Sequence, residues 1–123
     1  MDVVFDLENI ISVSSINNKI QTIKEIYKDK GAYKAYNEVI LLIENICASI
    51  IEEYFNEEVT NKTIIFLSKH FKKHEEKEIY EILLFILYNE EIMPDYDEYE
   101  LNYLIVGLDK IIEICKERYS KVL

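Results

Sequence analysis

Glycine occurs twice in these 123 residues, proline once and tryptophan not at all, and each scarcity removes a class of fold or chemistry. Two isolated glycines, Gly31 and Gly107, cannot build a glycine-rich phosphate loop, and no nucleophile elbow is present. The single proline, Pro94, leaves nearly all of the chain free to continue as helix. The only two cysteines, Cys47 and Cys115, sit among apolar helical neighbours, the setting of reduced, buried thiols; a disulfide joining two helices is the alternative. A chain of this length can remove roughly two thirds of its unfolded surface from water, so one domain needs neither bond nor metal to fold. Arginine is also scarce, one residue beside thirteen lysines and twenty-four acids, for a net charge of −10. That balance argues against general nucleic-acid binding, and no direct DNA binding is expected, because such affinity rests on Lys and Arg meeting phosphates. No stretch reaches the roughly 18 apolar residues of a membrane span; the richest, Ile79 to Leu87, contains Glu81. Met1 to Asp6 carries acids where a leader needs bases and an apolar run, so the expected location is the cytoplasm.

What is abundant is isoleucine, 21 residues, most of them three or four positions apart along helical faces, with little to interrupt the spacing. This periodicity predicts an all-α, compact antiparallel bundle of five to six helices in one domain, 1–123. A first helix capped by Asp2 runs to about Val13, and Ser14 or Ser15 caps a second that carries Ile16, Ile20, Ile23, Ile26 and Tyr27 and stops at Gly31; one kinked helix is the alternative. The third, about Ala32 to Asn56, has a stripe from Tyr36 to Tyr54 widened by Leu41 and Leu42, which makes it the central element. Thr60 or Asn61 caps a fourth helix holding Ile64, Ile65, Phe66, Leu67 and Phe71. A fifth starts near Glu75, carries Ile79, Ile82, Leu83, Phe85, Ile86 and Leu87, and ends before Pro94. Asp97 with Glu100 forms a capping box for the last helix, which packs through Leu101, Leu104, Ile105, Leu108, Ile111, Ile112, Cys115, Tyr119 and Val122. The β-branched run Thr63 to Phe66 is the one place that tempts a strand. The bias toward Ile and Lys fits an AT-rich genome, and with abundant Glu and Tyr also a thermophilic archaeon or one of its viruses.

Charge is placed unevenly. Residues 1–36 are neutral, 37–58 carry −6 with no base, 59–78 carry +2, and 79–123 carry −6. The densest acidic stretch is Glu90, Glu91, Asp95, Asp97, Glu98 and Glu100, interleaved with Tyr88, Tyr96, Tyr99 and Tyr103. Carboxylates steer a basic protein into contact and tyrosines supply area at low entropic cost, so Glu90 to Glu100 is the candidate partner-binding surface. The plainer account is a polar loop whose acids favour the start of the next helix. Calcium binding fits poorly, because Asp95-Tyr96-Asp97 lacks the glycine and the further oxygens of an EF-hand loop.

The one basic stretch is Lys69, His70, Lys72, Lys73, His74 and Lys77, an alternative face for a nucleotide or RNA, though Glu75, Glu76 and Glu78 offset much of its field. His70 and His74 share a helical face, with Glu78 a further turn on as a third ligand, but Phe71-Lys72-Lys73 between them lacks a metalloprotease glutamate and the lysines repel a cation. The expectation is exposed histidines and no metal. Glu38, Glu44, Glu52, Glu53 and Glu81 ride on helices without a Glu-x-x-His partner motif. Glu44, in the most apolar helix, is the one whose partial burial would raise a pKa, with ordinary exposure the expected outcome. No catalytic residue and no cofactor is assigned.

Beyond Tyr33, a long amphipathic helix (Glu38-Val39-Ile40-Leu41-Leu42-Ile43-Glu44-Asn45-Ile46) is followed by a shorter one, a helix ending in Leu87-Tyr88-Asn89, a polar loop, and a closing helix through Tyr99-Glu100-Leu101-Asn102-Tyr103-Leu104-Ile105. This layout, Tyr33 to Leu123, resembles the HEPN superfamily of small helical bundles. The resemblance implies the fold and a dimer. Catalytic members carry an Arg-x4-6-His motif where the penultimate helix ends and use the pair to cut RNA. Here Tyr88 stands in the arginine's place, Asn89 matches the polar residue that often follows it, and the sole arginine, Arg118, has no histidine after it. The resemblance therefore implies the bundle without the ribonuclease. Together these features predict a non-enzymatic interaction protein that binds another protein through its acidic, tyrosine-bearing surface: a basic nucleic-acid-handling or defence protein inhibited by a viral or mobile-element product, a nucleotidyltransferase-like partner, or a second copy as a homodimer. The competing expectation is a HEPN-like RNA- or nucleotide-binding bundle, or a ribonuclease, acting through Lys69 to Lys77.

Overall fold

Gly31 adopts φ 95°, a conformation that side chains with a Cβ rarely take, and it is the only residue between the first two described helices. Its N–H bonds back to the Tyr27 carbonyl at 3.2 Å while its own carbonyl accepts from Ala35 at 3.4 Å, closing α1 (Val13–Lys30) and opening α2 (Ala32–Tyr54) in one step. The computed structural model describes residues 13–92 and 98–119. The helix expected before Val13 lies outside that range. α1 starts at Val13, so Ser14 and Ser15 lie within its first turn instead of capping it. It buries Ile23 and half-buries Ile20, Ile26 and Tyr27, all against α2, the sole described helix it touches.

α2 is the centre of the bundle, touching α1 and two helices beyond it. Ala35, Tyr36, Val39, Leu42, Ile43, Ile46, Cys47, Ile50 and Ile51 are buried along it, too wide a face for a single neighbour. Leu41, expected to widen that face, is instead 51% exposed. Cys47 here and Cys115 on the last helix are free and buried, in line with reduced thiols. Burial pushes both thiols up, that of Cys115 to about 12, which favours their protonated form.

α3 (Ile64–Lys73) begins at Thr63, an extended N-cap with no side-chain cap bond. Neither Thr60 nor Asn61 caps the helix. Asn61 instead accepts from the Thr63 N–H at 3.0 Å and from its hydroxyl at 2.8 Å, holding the capping residue extended. This is also the run that tempted a strand; among the described residues every regular element is helical. α3 ends in a Schellman turn: Glu75 takes φ 58°, its N–H bonds to the Lys72 carbonyl at 3.2 Å, and the Glu76 N–H bonds to Phe71 at 2.9 Å. α4 (Lys77–Ile92) therefore starts two residues later than Glu75. Pro94 and Asp97, the expected stop and cap, lie outside the described residues; α5 (Glu98–Arg118) begins directly after them.

α2, α3, α4 and α5 close a ring in which each packs on the next, with α1 laid on the outside of α2. α4 and α5 run antiparallel: Glu76 and Glu78 meet Arg118 and Tyr119 at one end, while Phe85 meets Tyr103 further along. The core holds Leu67, Phe71, Ile79, Leu83, Leu108 and Ile111 at no measurable exposure, each contributing roughly 1.5–3 kcal/mol by burial. Three residues expected inside, Ile65, Phe66 and Phe85, lie outside, and Ile114 is buried in their stead. No described helix is long and apolar enough to cross a membrane.

Candidate functional site

The expected partner surface is divided by the described boundaries. Glu90 and Glu91 lie in the last turn of α4, and Glu98, Tyr99 and Glu100 in the first turn of α5; Asp95, Tyr96 and Asp97 lie outside the described residues. The end of α4 and the start of α5 thus place Glu90, Glu91, Glu98 and Glu100 at one end of the bundle, the end opposite Arg118. Tyr88 and Tyr103, which interleave with them in sequence, are exposed.

Along the α4–α5 seam lies a feature that periodicity alone did not indicate. A groove of about 470 Å³ runs between the two helices, with Phe85, Tyr103 and Val106 along its walls, Ile82, Gly107 and Ile114 beneath, and Glu78, Glu81, Lys110 and Glu113 on its rim. The Phe85 and Tyr103 rings lie 5.4 Å apart and tilted by 33°, yet both residues are exposed, at 48% and 40%, as is Val106. At Gly107 a Cβ would meet Ile82 at 3.5 Å and Ile86 at 3.7 Å, ordinary contact, so the missing side chain leaves the seam open without being sterically compelled. The sequence signal was present but inverted: Phe85 fits the helical stripe, and only the position of α5 decides that it stands outside the core.

The basic stretch is arranged quite differently from an open cationic face. α2 ends at Tyr54, Asn56 turns the chain at φ 53°, and the Glu57 N–H bonds back to the Ile51 carbonyl at 3.3 Å. This places the Glu57 carboxylate over the last turn of α3. It meets His70 Nδ1, accepts from Lys73 Nζ at 2.6 Å, and lies 2.9 Å from His74 Nε2. Phe55 stacks on the His74 ring at 4.2 Å and meets Phe71 edge-on. Lys73 foremost, then His70 and His74, hold the Glu57 carboxyl down at about 2. Of the remaining members of that stretch, Lys69 lies over the Phe66 ring and Lys72 near the Tyr80 ring. Lys77 opens α4.

The histidines are therefore not the exposed bystanders the sequence suggested, and Glu78 is not their third partner. Glu78 faces Arg118 Nη2 at 3.5 Å. Among the described residues no three His, Cys, Asp or Glu side chains are placed to hold a metal ion. Glu57 itself left no trace in sequence, because it belongs to a connection with no period. The sole arginine is a clamp: Arg118 donates to Glu76 Oε1 at 2.8 Å and the Tyr119 hydroxyl donates to Glu76 Oε2 at 2.5 Å, fastening the end of α5 to the start of α4. Of the helical carboxylates, Glu38, Glu52, Glu53 and Glu81 are exposed and Glu44 is half-buried. Comparison with family models, curated proteins and solved structures finds no match to this chain.

Proposed function

We propose that this protein is a non-enzymatic interaction module that binds a basic protein through the acidic, aromatic face of α4 and α5. One observation carries the reading: the exposed Phe85, Tyr103 and Val106 lie in a groove whose rim holds three carboxylates and one lysine, on the same helix pair as Glu90, Glu91, Glu98 and Glu100. Apolar area surrounded by one sign of charge suits a partner of the other sign, since the charges steer the encounter and the aromatic rings supply contact energy. Basic proteins that handle nucleic acid in the cytoplasm are the class this surface suits, and the acids would then stand in for phosphates. A nucleotidyltransferase-like subunit is a second partner of suitable charge.

The alternative, RNA or nucleotide binding or cleavage at Lys69 to Lys77, loses support from Glu57, which neutralises the centre of that face by engaging His70, Lys73 and His74 together. Capture of partners at rising salt tests the main reading. Retention should fall with ionic strength and with neutralisation of Asp95, Asp97, Glu98 and Glu100; a complex indifferent to both rejects it. Ribonuclease activity, or a nucleotide-induced thermal shift lost in His74→Ala, would favour the alternative.

A further inference from the structure

We infer that the α4–α5 groove receives a single amphipathic helix whose apolar side chains seat between Phe85, Tyr103 and Val106 and whose lysines or arginines meet Glu81 and Glu113. This rests on the interaction reading above and specifies its occupant. From Phe85 back to Glu78 the groove follows α4 for seven residues, and from Tyr103 to Ile114 it follows α5 for eleven, about 10–16 Å at 1.5 Å per residue. That length matches two to three helical turns, enough for apolar anchors at i, i+3, i+4 and i+7. An extended segment fits poorly. Both walls are helices whose backbone groups are already bonded internally, so an extended peptide would find no strand edge and would leave its own N–H and C=O groups unpaired against apolar side chains. A helix brings its backbone bonds with it.

Charge selects the partner's sign and argues against a second copy. On the rim Glu78 is shared with Arg118 at 3.5 Å, which leaves Glu81 and Glu113 as the acids facing outward, with Lys110 the only opposing charge. An isologous pairing of two such faces would bring these carboxylates together, and like charges set opposite one another cost affinity. A basic helix reverses the sign of every such contact.

The test uses the full chain and a synthetic helical peptide of about 18 residues, with leucines at i, i+3, i+4 and i+7 and lysines elsewhere, followed by fluorescence anisotropy. A scrambled peptide of the same composition serves as the comparison. Tight binding of the patterned peptide, weakened about tenfold or more by Phe85→Ala and by Val106→Gln, and about threefold by Glu81→Gln with Glu113→Gln, is expected. Both wall positions are exposed, and thermal melts superimposing on the wild type will show that the variants are folded. Equal binding of the scrambled peptide overturns the helical occupant. Binding that Phe85→Ala and Val106→Gln leave unchanged, while neutralising Asp95, Asp97, Glu98 and Glu100 abolishes it, overturns the groove and keeps the acidic-surface reading. No binding of the patterned peptide overturns the proposal, as does a self-associated dimer that Val106→Gln dissociates.

Discussion

The polar cluster around Glu57 and Glu76 and the α4–α5 groove use the same residue types to opposite purposes. In the cluster, Glu57, His70, Lys73 and His74 are bonded to one another, as are Glu76, Arg118 and Tyr119, and the rings of Tyr54, Phe55, Phe71 and Tyr119 interlock around them. Between α4 and α5, Phe85 and Tyr103 stand in an exposed groove rimmed by Glu81 and Glu113. A charged side chain reports a surface for recognition only where no neighbour in the fold has already engaged it. Charge density in the sequence ranks both regions as candidates; pairing in the structure distinguishes them.

The sharpest way to break this comparison is one substitution in each region. Phe71→Ala empties a fully buried site and should lower unfolding free energy by about 3–5 kcal/mol, whereas the exposed Phe85→Ala should cost under about 1 kcal/mol. Urea titrations of the two variants decide; similar losses would mean that the groove is part of the core. Next in size, Gly31→Ala places a Cβ at φ 95° in open space, so the effect is backbone strain alone, about 1–2 kcal/mol. A smaller change would show that the α1–α2 corner relaxes, as the single interface of α1 would permit.

Tyr119→Phe removes one hydrogen bond to Glu76 and should cost about 1 kcal/mol near neutrality. Burial first, then that bond and the Glu76 charge, raise the Tyr119 hydroxyl above its ordinary value of 10.0. The folded state thus holds this proton more tightly, and its contribution is lost as pH rises beyond 10. Wild type should lose this increment in alkaline denaturation curves, and Tyr119→Phe should not. Glu57 behaves in the opposite sense. Its carboxyl lies at about 2 against an ordinary 4.5, so its stabilisation is complete above pH 4.5 and disappears as pH falls toward 2. Denaturation midpoints of wild type and Glu57→Gln should differ at pH 6 and converge by pH 2; a constant gap would mean that the carboxylate contributes nothing through its charge. Since Lys73 is exposed, salt should shrink the gap.

The helices and their order were legible because helical packing repeats: Val39, Ile43, Ile46 and Ile50, or Leu101, Leu104, Leu108 and Ile111, announce a buried face by spacing alone. Edges of those faces were not. Leu41, Ile65, Phe66 and Phe85 sit at the margins of their stripes, and whether a margin is covered depends on where the next helix lies. Helix starts shifted for local reasons, since Asn61 supports Thr63 and Glu75 enters the left-handed region of a Schellman turn. Of the candidate site, the acidic stretch was visible as composition, while the groove depends on side chains from two helices, 18 or more residues apart in sequence, and Glu57 on a connection without pattern.

Spacing and composition alone settle that this chain is a helical bundle with α2 at its centre and a carboxylate excess on its last two helices, because apolar periodicity and net charge are sums over neighbours in sequence. Which polar groups pair, and which aromatic rings stay in water, was decided only when α3 came under Glu57 and α5 came beside α4. Hydrogen bonds and grooves are made between elements, and their geometry exists only after those elements have packed.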